Sequence, residues 1–294
     1  MSLASVYIAT RFVHFVALYV LLGTGIYVEC LAPRAARDWS RARSEPMLRA
    51  CALAACVCAA GLLCLEAGQM GNGWSDVRDP STWLEVLGTA YGRVWRWQLG
   101  LSVAAALCAL AGTERPWRRP ALLWLAAAML ACMAFVGHAA SHTGERAVLA
   151  GIVQLAHLYA GAYWLGGLPI LWLTLEGLHD GRRADVVRTH MRYSTFGHVA
   201  VAVVIASGAI NIGLVLGTWP WHWASLYQRL LSLKMMLVAL MAMAAIVNRY
   251  VLVPRMRRES AAGFIWFGRL ALAEIVLGLL VLALVSWFAT LEPA

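Results

Sequence analysis

The sequence predicts an all-α, polytopic membrane protein, a bundle of eight transmembrane helices. Two observations carry this prediction: eight long apolar stretches, and an uneven distribution of arginines among the connections that join them. A membrane span needs about 20 mostly apolar residues, and backbone polar groups that find no water in lipid favour helices. The composition agrees, with 62% hydrophobic and 13% charged residues. The predicted spans lie near 5–31, 47–68, 93–112, 119–141, 148–175, 191–217, 227–252 and 263–290.

Arginines are concentrated in every second connection, and this sets the predicted orientation. The connections 32–49, 113–119, 176–192 and 253–262 are rich in arginine, whereas the intervening ones hold few. Because cytoplasmic loops carry an excess of Lys and Arg, we predict that these four connections are cytoplasmic and that both termini are periplasmic. The net charge of +9 is then a topology signal, and no nucleic-acid partner is expected. We predict a multi-pass membrane protein in contact with lipid, with 1–294 as a single integral-membrane domain.

Four histidines are predicted to lie in the outer half of the membrane, where ionisable residues are costly and mark functional sites. His14 and His157 are about equally deep in the first and fifth spans, and His138 and His142 stand at the outer end of the fourth. The latter two are four residues apart, so a continuing helix would place them on one face. Neutral imidazole is a common metal ligand that suits copper. The pattern predicts a metal site, although a lone membrane histidine can also be a hydrogen-bonded packing residue.

Thioether and carboxylate side chains occur near the same depth. Met133 stands below His138 along the fourth span, and Glu66 and Met70 close the outer end of the second. Thioethers favour Cu(I), and a carboxylate at the mouth can receive a cation. Methionine also fills gaps in helix packing, and Glu66 can simply reach water. The seven cysteines fall within the spans or at their ends, so they predict soft intramembrane ligands or packing residues rather than a disulfide framework.

Two further charges, Lys234 and Glu274, fall inside the seventh and eighth spans. An isolated charge in this position is costly, so we expect the two to pair, either as a clamp between helices or as a proton-coupling pair. His179 and His190 fall in an arginine-rich connection and are predicted to lie in a cytoplasmic loop.

Several motifs resemble the copper-resistance membrane family known as CopD or PcoD. The segment from Gln154 to Leu168 is similar to that family's helix with His followed by Trp-Leu-Gly-Gly-Leu. The other matching motifs are Gly137-His138-Ala139, Arg192-Tyr193-Ser194 with Ser207-Gly208 and Asn211, Leu233-Lys234, Asn248-Arg249-Tyr250, Pro254-Arg255 and Glu274. Tyr193 and Ser207 replace the usual Phe and Thr. The similarity extends from about 130 to 294, and Arg11 and His14 are the main match in the N-terminal third.

The resemblance implies copper transport across the inner membrane, most directly import from the periplasm to the cytoplasm. It implies the copper ion as the bound metal and a periplasmic copper-binding protein of the CopC type as a partner, and it implies no enzyme. The alternative is a b-type haem membrane oxidoreductase, since histidines on different helices at matching depth can ligate haem iron. A membrane sensor or scaffold that binds copper without passing it is the third class.

Overall fold

A computed structural model describes residues 1–136, 144–178, 183–220, 223–253 and 261–292. In these ranges every regular element is a helix, which confirms the all-α fold class. The helices are α1 (Leu3–Ile26), α2 (Arg34–Met70), α3 (Pro80–Gly88), α4 (Ala90–Leu110), α5 (Arg118–Ala134), α6 (Gly144–Gly166), α7 (Leu168–Leu173), α8 (Arg183–Leu216), α9 (Leu226–Val247) and α10 (Ala261–Phe288). The π-helical turns Tyr27–Leu31 and Asn248–Leu252 extend α1 and α9, and 3-10 turns cover Gly73–Arg78 and Thr174–Leu178.

Six helical segments within the described ranges are long and apolar enough to cross a membrane. They are Leu3–Leu31, Arg34–Met70, Gly144–Gly177, Arg183–Leu216, Leu226–Leu252 and Ile265–Phe288. The third and fourth predicted spans coincide with α4 and α5, which are not among the six. α4 carries Arg93, Arg96 and Gln98 in its first half, and α5 has 17 residues, fewer than the roughly 20 that a span needs. The chain is a multi-pass membrane protein, and the count of eight spans stays a prediction.

The arginine-rich connection 32–49 is largely helical, so the chain has no break at the predicted start of the second span. α2 begins at Arg34 and runs through Pro46 to Met70. Arg, Ala, Glu and Leu are good helix formers, so the polar segment extends the apolar helix instead of interrupting it. The boundary predicted at 47 marks a change of polarity within one helix.

α1 lies at the centre of the bundle, in contact with α2, α5, α6 and α10. Its crossing with α6 brings the two backbones together. A Cβ on Gly23 would lie 2.3 Å from the carbonyl carbon of Gly166, and a Cβ on Gly166 would lie 1.8 Å from the carbonyl oxygen of Tyr19. Small residues permit such close approach of membrane helices. The close backbone contact at Gly23 and Gly166 fixes the point at which α1, which carries His14, meets α6, which carries His157.

Three of the arginine-rich connections meet at one end of the bundle. The carboxylate of Glu45, in α2, receives hydrogen bonds from Arg49 of the same helix and from Arg118 and Arg119 at the start of α5. The contacts to the segment around 176–192 are the ion pair of Arg43 with Glu176 and the hydrogen bond from Arg192 to the carbonyl oxygen of Leu31. The predicted gathering of positive connections on one side therefore has a structural counterpart.

Candidate functional site

A cavity of about 650 Å³ opens between α1, α2, α4, α5, α6, α8, α9 and α10. Five of the residues predicted from the sequence line it, and they come from five different helices: His14, Glu66, Met133, His157 and Lys234. The remaining lining is mostly apolar and aromatic, interrupted by a few polar side chains. Such a cavity, apolar with a small number of polar groups, has the general form of a ligand-binding site.

His157, on α6, has one ring nitrogen fixed by a neighbouring helix. Its Nδ1 lies 3.0 Å from the Oγ of Ser207 on α8, and that hydroxyl donates its single proton to the carbonyl oxygen of Val203. Ser207 can therefore only accept from the imidazole, which puts the ring proton on Nδ1. The Ser207 contact is the only side-chain hydrogen bond of this ring among the described residues, which leaves the unprotonated Nε2 open on the side of the cavity. A neutral imidazole whose other nitrogen is held in this way is the usual form of a histidine metal ligand.

His14, on α1, is fully buried beside Trp95 and contacts Gln98 of α4. The Nε2 of Gln98 lies 2.9 Å from the Nε2 of His14, so in this orientation the amide donates and the ring proton is on Nδ1. The backbone of Ala55 lies near the ring, and Nδ1 has no hydrogen-bond partner among the described residues. The Oε1 of Gln98 is likewise unpartnered within the described part of the chain. Rotation of the Gln98 amide by half a turn would reverse the roles and leave Nδ1 with a free lone pair.

The polar groups around Glu66 form one edge of the cavity. Glu66 forms a side-chain hydrogen bond with Tyr7, and the guanidinium of Arg11 acts on the same carboxylate electrostatically. Arg11 lies over the ring of Phe15, 5.7 Å from its centroid, and Tyr91 also borders the cavity. This edge of the cavity therefore carries one carboxylate and one guanidinium. Two groups of opposite charge can orient a charged ligand without binding it tightly.

The two methionines named from the sequence have different surroundings. Met133, on α5, is buried and lines the cavity. Met70 is the last residue of α2, has 56% of its surface exposed and is not among the lining residues. The shared face expected for Glu66 and Met70 thus does not bring both side chains to the cavity, because the helix ends at Met70 and its side chain turns outward.

The expected pairing of Lys234 with Glu274 is wrong. Glu274 is buried on α10 and accepts a hydrogen bond from Nδ2 of Asn248 at 2.7 Å, with a second one from Trp164. Lys234 lies over the ring of Phe288, 5.9 Å from its centroid. Lys234 lies 14 residues before Asn248, the partner of Glu274, which is about 21 Å along the helix at 1.5 Å per residue. The helix register, which residue spacing does not reveal, matches Asn248 to Glu274.

His138 and His142 lie outside the described residues, so the predicted gathering of four histidines is seen only at His14 and His157. Within the described ranges no three His, Cys, Asp or Glu side chains converge closely enough to hold a metal ion. The seven cysteines are all free. The structure thus brings the two deep histidines to a common cavity, and it does not assemble a closed metal site around them.

Several residues that line the cavity or lie behind its wall were absent from the predicted site. Gln98 and Ser207 hold the two histidines, and Asn211 on α8 donates to Gln154 on α6 at 3.0 Å. Ser207, Asn211 and Gln154 lie in the motifs that resemble the copper-resistance family. Their place in those motifs could have marked them as candidate site residues. Gln98 carried only the general signal of a polar residue within an apolar stretch.

Known protein families match most of this chain. The family model described as copper resistance protein D-like, N-terminal domain, matches residues 1–148, and the model described as copper resistance protein D matches residues 187–288. The chain belongs to the copper resistance protein D family, and it is a multi-pass protein of the inner membrane. No solved structure matches it at a significant level.

Three curated relatives support this assignment. Inner membrane protein YebZ of Escherichia coli strain K12 is 37% identical over 293 residues, with 99% of each chain covered. Copper resistance protein D of Pseudomonas syringae pv. tomato is 27% identical over 307 residues, which cover 97% of this chain and 96% of that protein. Copper transport protein CutJ of Bacillus subtilis strain 168 is 25% identical over 279 residues, which cover 87% of this chain and 49% of that protein.

Proposed function

We propose that the protein carries copper across the inner membrane, from the periplasm to the cytoplasm, through the cavity bordered by His14 and His157. The observation that supports this most directly is the free Nε2 of His157 in a cavity that a second deep histidine and a methionine also line. Imidazole and thioether groups suit copper. Copper is cargo in this proposal, and no catalytic step is assigned to the protein.

The open arrangement of the cavity side chains is suited to transport. Conduction requires binding that is strong enough for entry and weak enough for release, and His14, His157 and Met133 do not form a closed cage with a third ionisable ligand in the described part of the chain. Inward movement of a cation gains about 2.3 kcal/mol per charge for each 100 mV of membrane potential. His138 and His142 are further ligands in this proposal, at the periplasmic entrance.

The proposed topology has eight spans, with α4 and α5 as the third and fourth, and both termini in the periplasm. The contacts of Glu45 and Arg43 with neighbouring connections support a common cytoplasmic end for the arginine-rich segments. The cavity edge at Tyr7 and Glu66 then faces the periplasm, where a copper-binding protein of the CopC type would deliver its ion.

Copper binding and uptake test this proposal. Purified protein and proteoliposomes would be compared for the wild type, His14→Ala and His157→Ala, with copper supplied from a chelate buffer or from a loaded CopC-type protein. We expect each substitution to weaken copper binding at least about tenfold, the usual scale for a disturbed metal site, and to slow uptake in parallel. His198→Ala is the matched control, since His198 is exposed and contacts the carbonyl oxygen of Ser194 in its own helix. Equal copper binding in all four proteins would refute the assignment.

A b-type haem remains the second candidate, and one observation favours it. The cavity of about 650 Å³ is far larger than a single ion requires, and two histidines from different helices border it. The names of the relatives refer to copper and give haem no support. A visible spectrum with iron and copper analysis separates the two: copper without a Soret band supports transport, and iron with a Soret band supports haem ligation.

A further inference from the structure

His190 lies at the opposite end of the bundle from the cavity edge at Glu66, and the expectation that it occupies a loop is wrong. It belongs to α8 and is 4% exposed. Its ring stacks on Phe267 with centroids 5.8 Å apart and lies 6.1 Å from the ring of Tyr27. The neighbouring arginines suggest a solvated segment, but helix periodicity turns His190 inward together with Val186, Thr189 and Tyr193.

The hydrogen bonds of His190 leave one nitrogen without a protein partner. Its Nε2 lies 3.1 Å from Oγ1 of Thr174. That hydroxyl donates its one proton to the carbonyl oxygens of Ile170 and Leu171, so it also accepts from the hydroxyl of Tyr27 at 2.9 Å. Thr174 therefore accepts from the imidazole, and the ring proton is on Nε2. The Nδ1 keeps its lone pair and has no hydrogen-bond partner in the described structure. A buried nitrogen in this state favours an occupant, because leaving a buried polar atom unsatisfied is costly.

A small void adjoins this histidine. It has a volume of about 10 Å³ and is lined by Val187, His190, Met191, Val253 and Phe267. This volume is close to the minimum for a single water molecule, and it also suffices for a bare monovalent metal ion. Among the lining groups, only His190 and Met191 offer donor atoms on their side chains. Nitrogen and thioether sulfur form a soft pair that favours Cu(I).

The guanidinium of Arg249 lies beside the thioether of Met191 and affects how tightly this pair could bind a cation. The guanidinium donates to Sδ of Met191 at 3.2 Å, which orients the thioether and places a positive charge beside it. That charge lowers the affinity for a cation without removing the ligands. Weak binding is what a release site requires, since an ion that moves through a pathway must also leave it.

We propose that His190 and Met191 form a second copper site, a Cu(I) release site at the cytoplasmic end of the pathway; this rests on the proposed transport function. Ser207, which holds His157, and His190 are both on α8, 17 residues apart. At 1.5 Å per residue this places the two levels roughly 25 Å apart, nearly the thickness of the hydrocarbon core, about 30 Å. The two sites thus serve opposite ends of one membrane crossing.

Cu(I) stoichiometry of the full-length protein in detergent tests this proposal, with copper supplied in a chromophoric chelate buffer. We expect two equivalents of Cu(I) for the wild type, and one for both His190→Gln and Met191→Leu. The glutamine keeps a donor for Thr174, and the leucine keeps the side-chain volume, so each variant removes a ligand at small cost to packing. X-ray absorption should show a Cu–S contribution that weakens in Met191→Leu. The matched controls are His198→Gln, on the same helix, and Met243→Leu, which is exposed on α9; both should keep two equivalents.

The outcomes separate this proposal from the transport site. Two equivalents in both His190→Gln and Met191→Leu would overturn the release site, and the void would then hold water. A single wild-type equivalent that His157→Ala abolishes would overturn it as well, while leaving the cavity site intact. A single equivalent that His190→Gln abolishes and His157→Ala does not would support the release site and overturn the cavity site. A protein that binds no Cu(I) would overturn both.

Discussion

At the scale of single residues, the hydroxyl of Ser207 decides which nitrogen of His157 faces the cavity. It accepts from Nδ1 because its own proton is committed to the carbonyl oxygen of Val203. An imidazole without such a partner can exchange tautomers and rotate about χ2. Groups that fix a liganding histidine in this way commonly change metal affinity by about 10–100-fold when they are removed.

Substitution of Ser207 should therefore affect copper more than stability. We expect Ser207→Ala to weaken copper binding about tenfold and Ser207→Thr, which keeps the hydroxyl, to restore it. Ser102→Ala is the control, because Ser102 is equally buried and donates to Leu99 of its own helix without touching a histidine. Copper titration in a competing chelate buffer measures the difference. A similar loss in Ser102→Ala would attribute the effect to general packing.

Residue spacing foresaw that His14 and His157 lie within long apolar helices, but it did not foresee the partners that orient them; their equal depth in the membrane stays a prediction. Depth follows from counting along one apolar stretch, which is local information. Gln98 is 84 residues from His14 and Ser207 is 50 residues from His157, so their roles arise only when separate helices pack. The same limit explains His190, whose buried state depends on Phe267 and Tyr27 on other elements.

At the scale of secondary structure, the crossing of α1 and α6 depends on glycines that allow backbone contact. We expect Gly166→Ala to destabilise the protein by about 1–3 kcal/mol, the usual cost of an added methyl in a packed site, because its Cβ would overlap the Tyr19 carbonyl oxygen. Gly213→Ala on α8 is the matched control, since its Cβ meets nothing within 4 Å. Unfolding by denaturant in detergent, followed by circular dichroism, compares the two variants. Equal stability of both would show that the crossing tolerates side chains.

The helices themselves were largely predictable, and their ends were less so. The spans near 5–31 and 227–252 agree with α1 and α9 together with their π-helical turns, because long apolar runs leave few alternatives in lipid. The start of α2 at Arg34 was missed because hydropathy reports polarity and not helix formation. π-helical turns are often found at functional sites, but they have no simple sequence signature. The turn that begins at Asn248 positions this residue to donate a hydrogen bond to Glu274.

At the scale of the whole molecule, the arginine-rich end and the cavity edge at Glu66 should be on opposite sides of the membrane. Thr113 and Ser75 are exposed positions on connections assigned to the cytoplasm and the periplasm. We expect Ser75→Cys to react with a membrane-impermeant maleimide in spheroplasts, and Thr113→Cys to react only after permeabilisation. The wild type, which has seven cysteines within its helices or at their ends, provides the background. The reverse pattern of labelling would invert the topology and the proposed direction of import.

The packing of α9 against α10 shows what the sequence pattern alone does not determine. Lys234 and Glu274 looked like a pair because both are charges in apolar helices, and opposite charges in lipid attract. The register of α9 against α10 separates them and satisfies Glu274 with Asn248. The register of two helices depends on the packing of many apolar side chains at once, so it cannot be read from any single residue.

The glycine contact between α1 and α6 also acts as a pivot. His14 lies nine residues before Gly23, and His157 lies nine residues before Gly166, so the two imidazoles stand at the ends of lever arms of equal length, about 13 Å each at 1.5 Å per residue. Backbones that interlock at one point oppose sliding there, whereas a single contact does not set the angle between the arms. A change of about 10° in that angle would move the arm ends apart by roughly 2 Å, comparable to a metal–nitrogen bond. A rocking of the two helices on this scale would therefore decide whether one ion could contact both imidazoles.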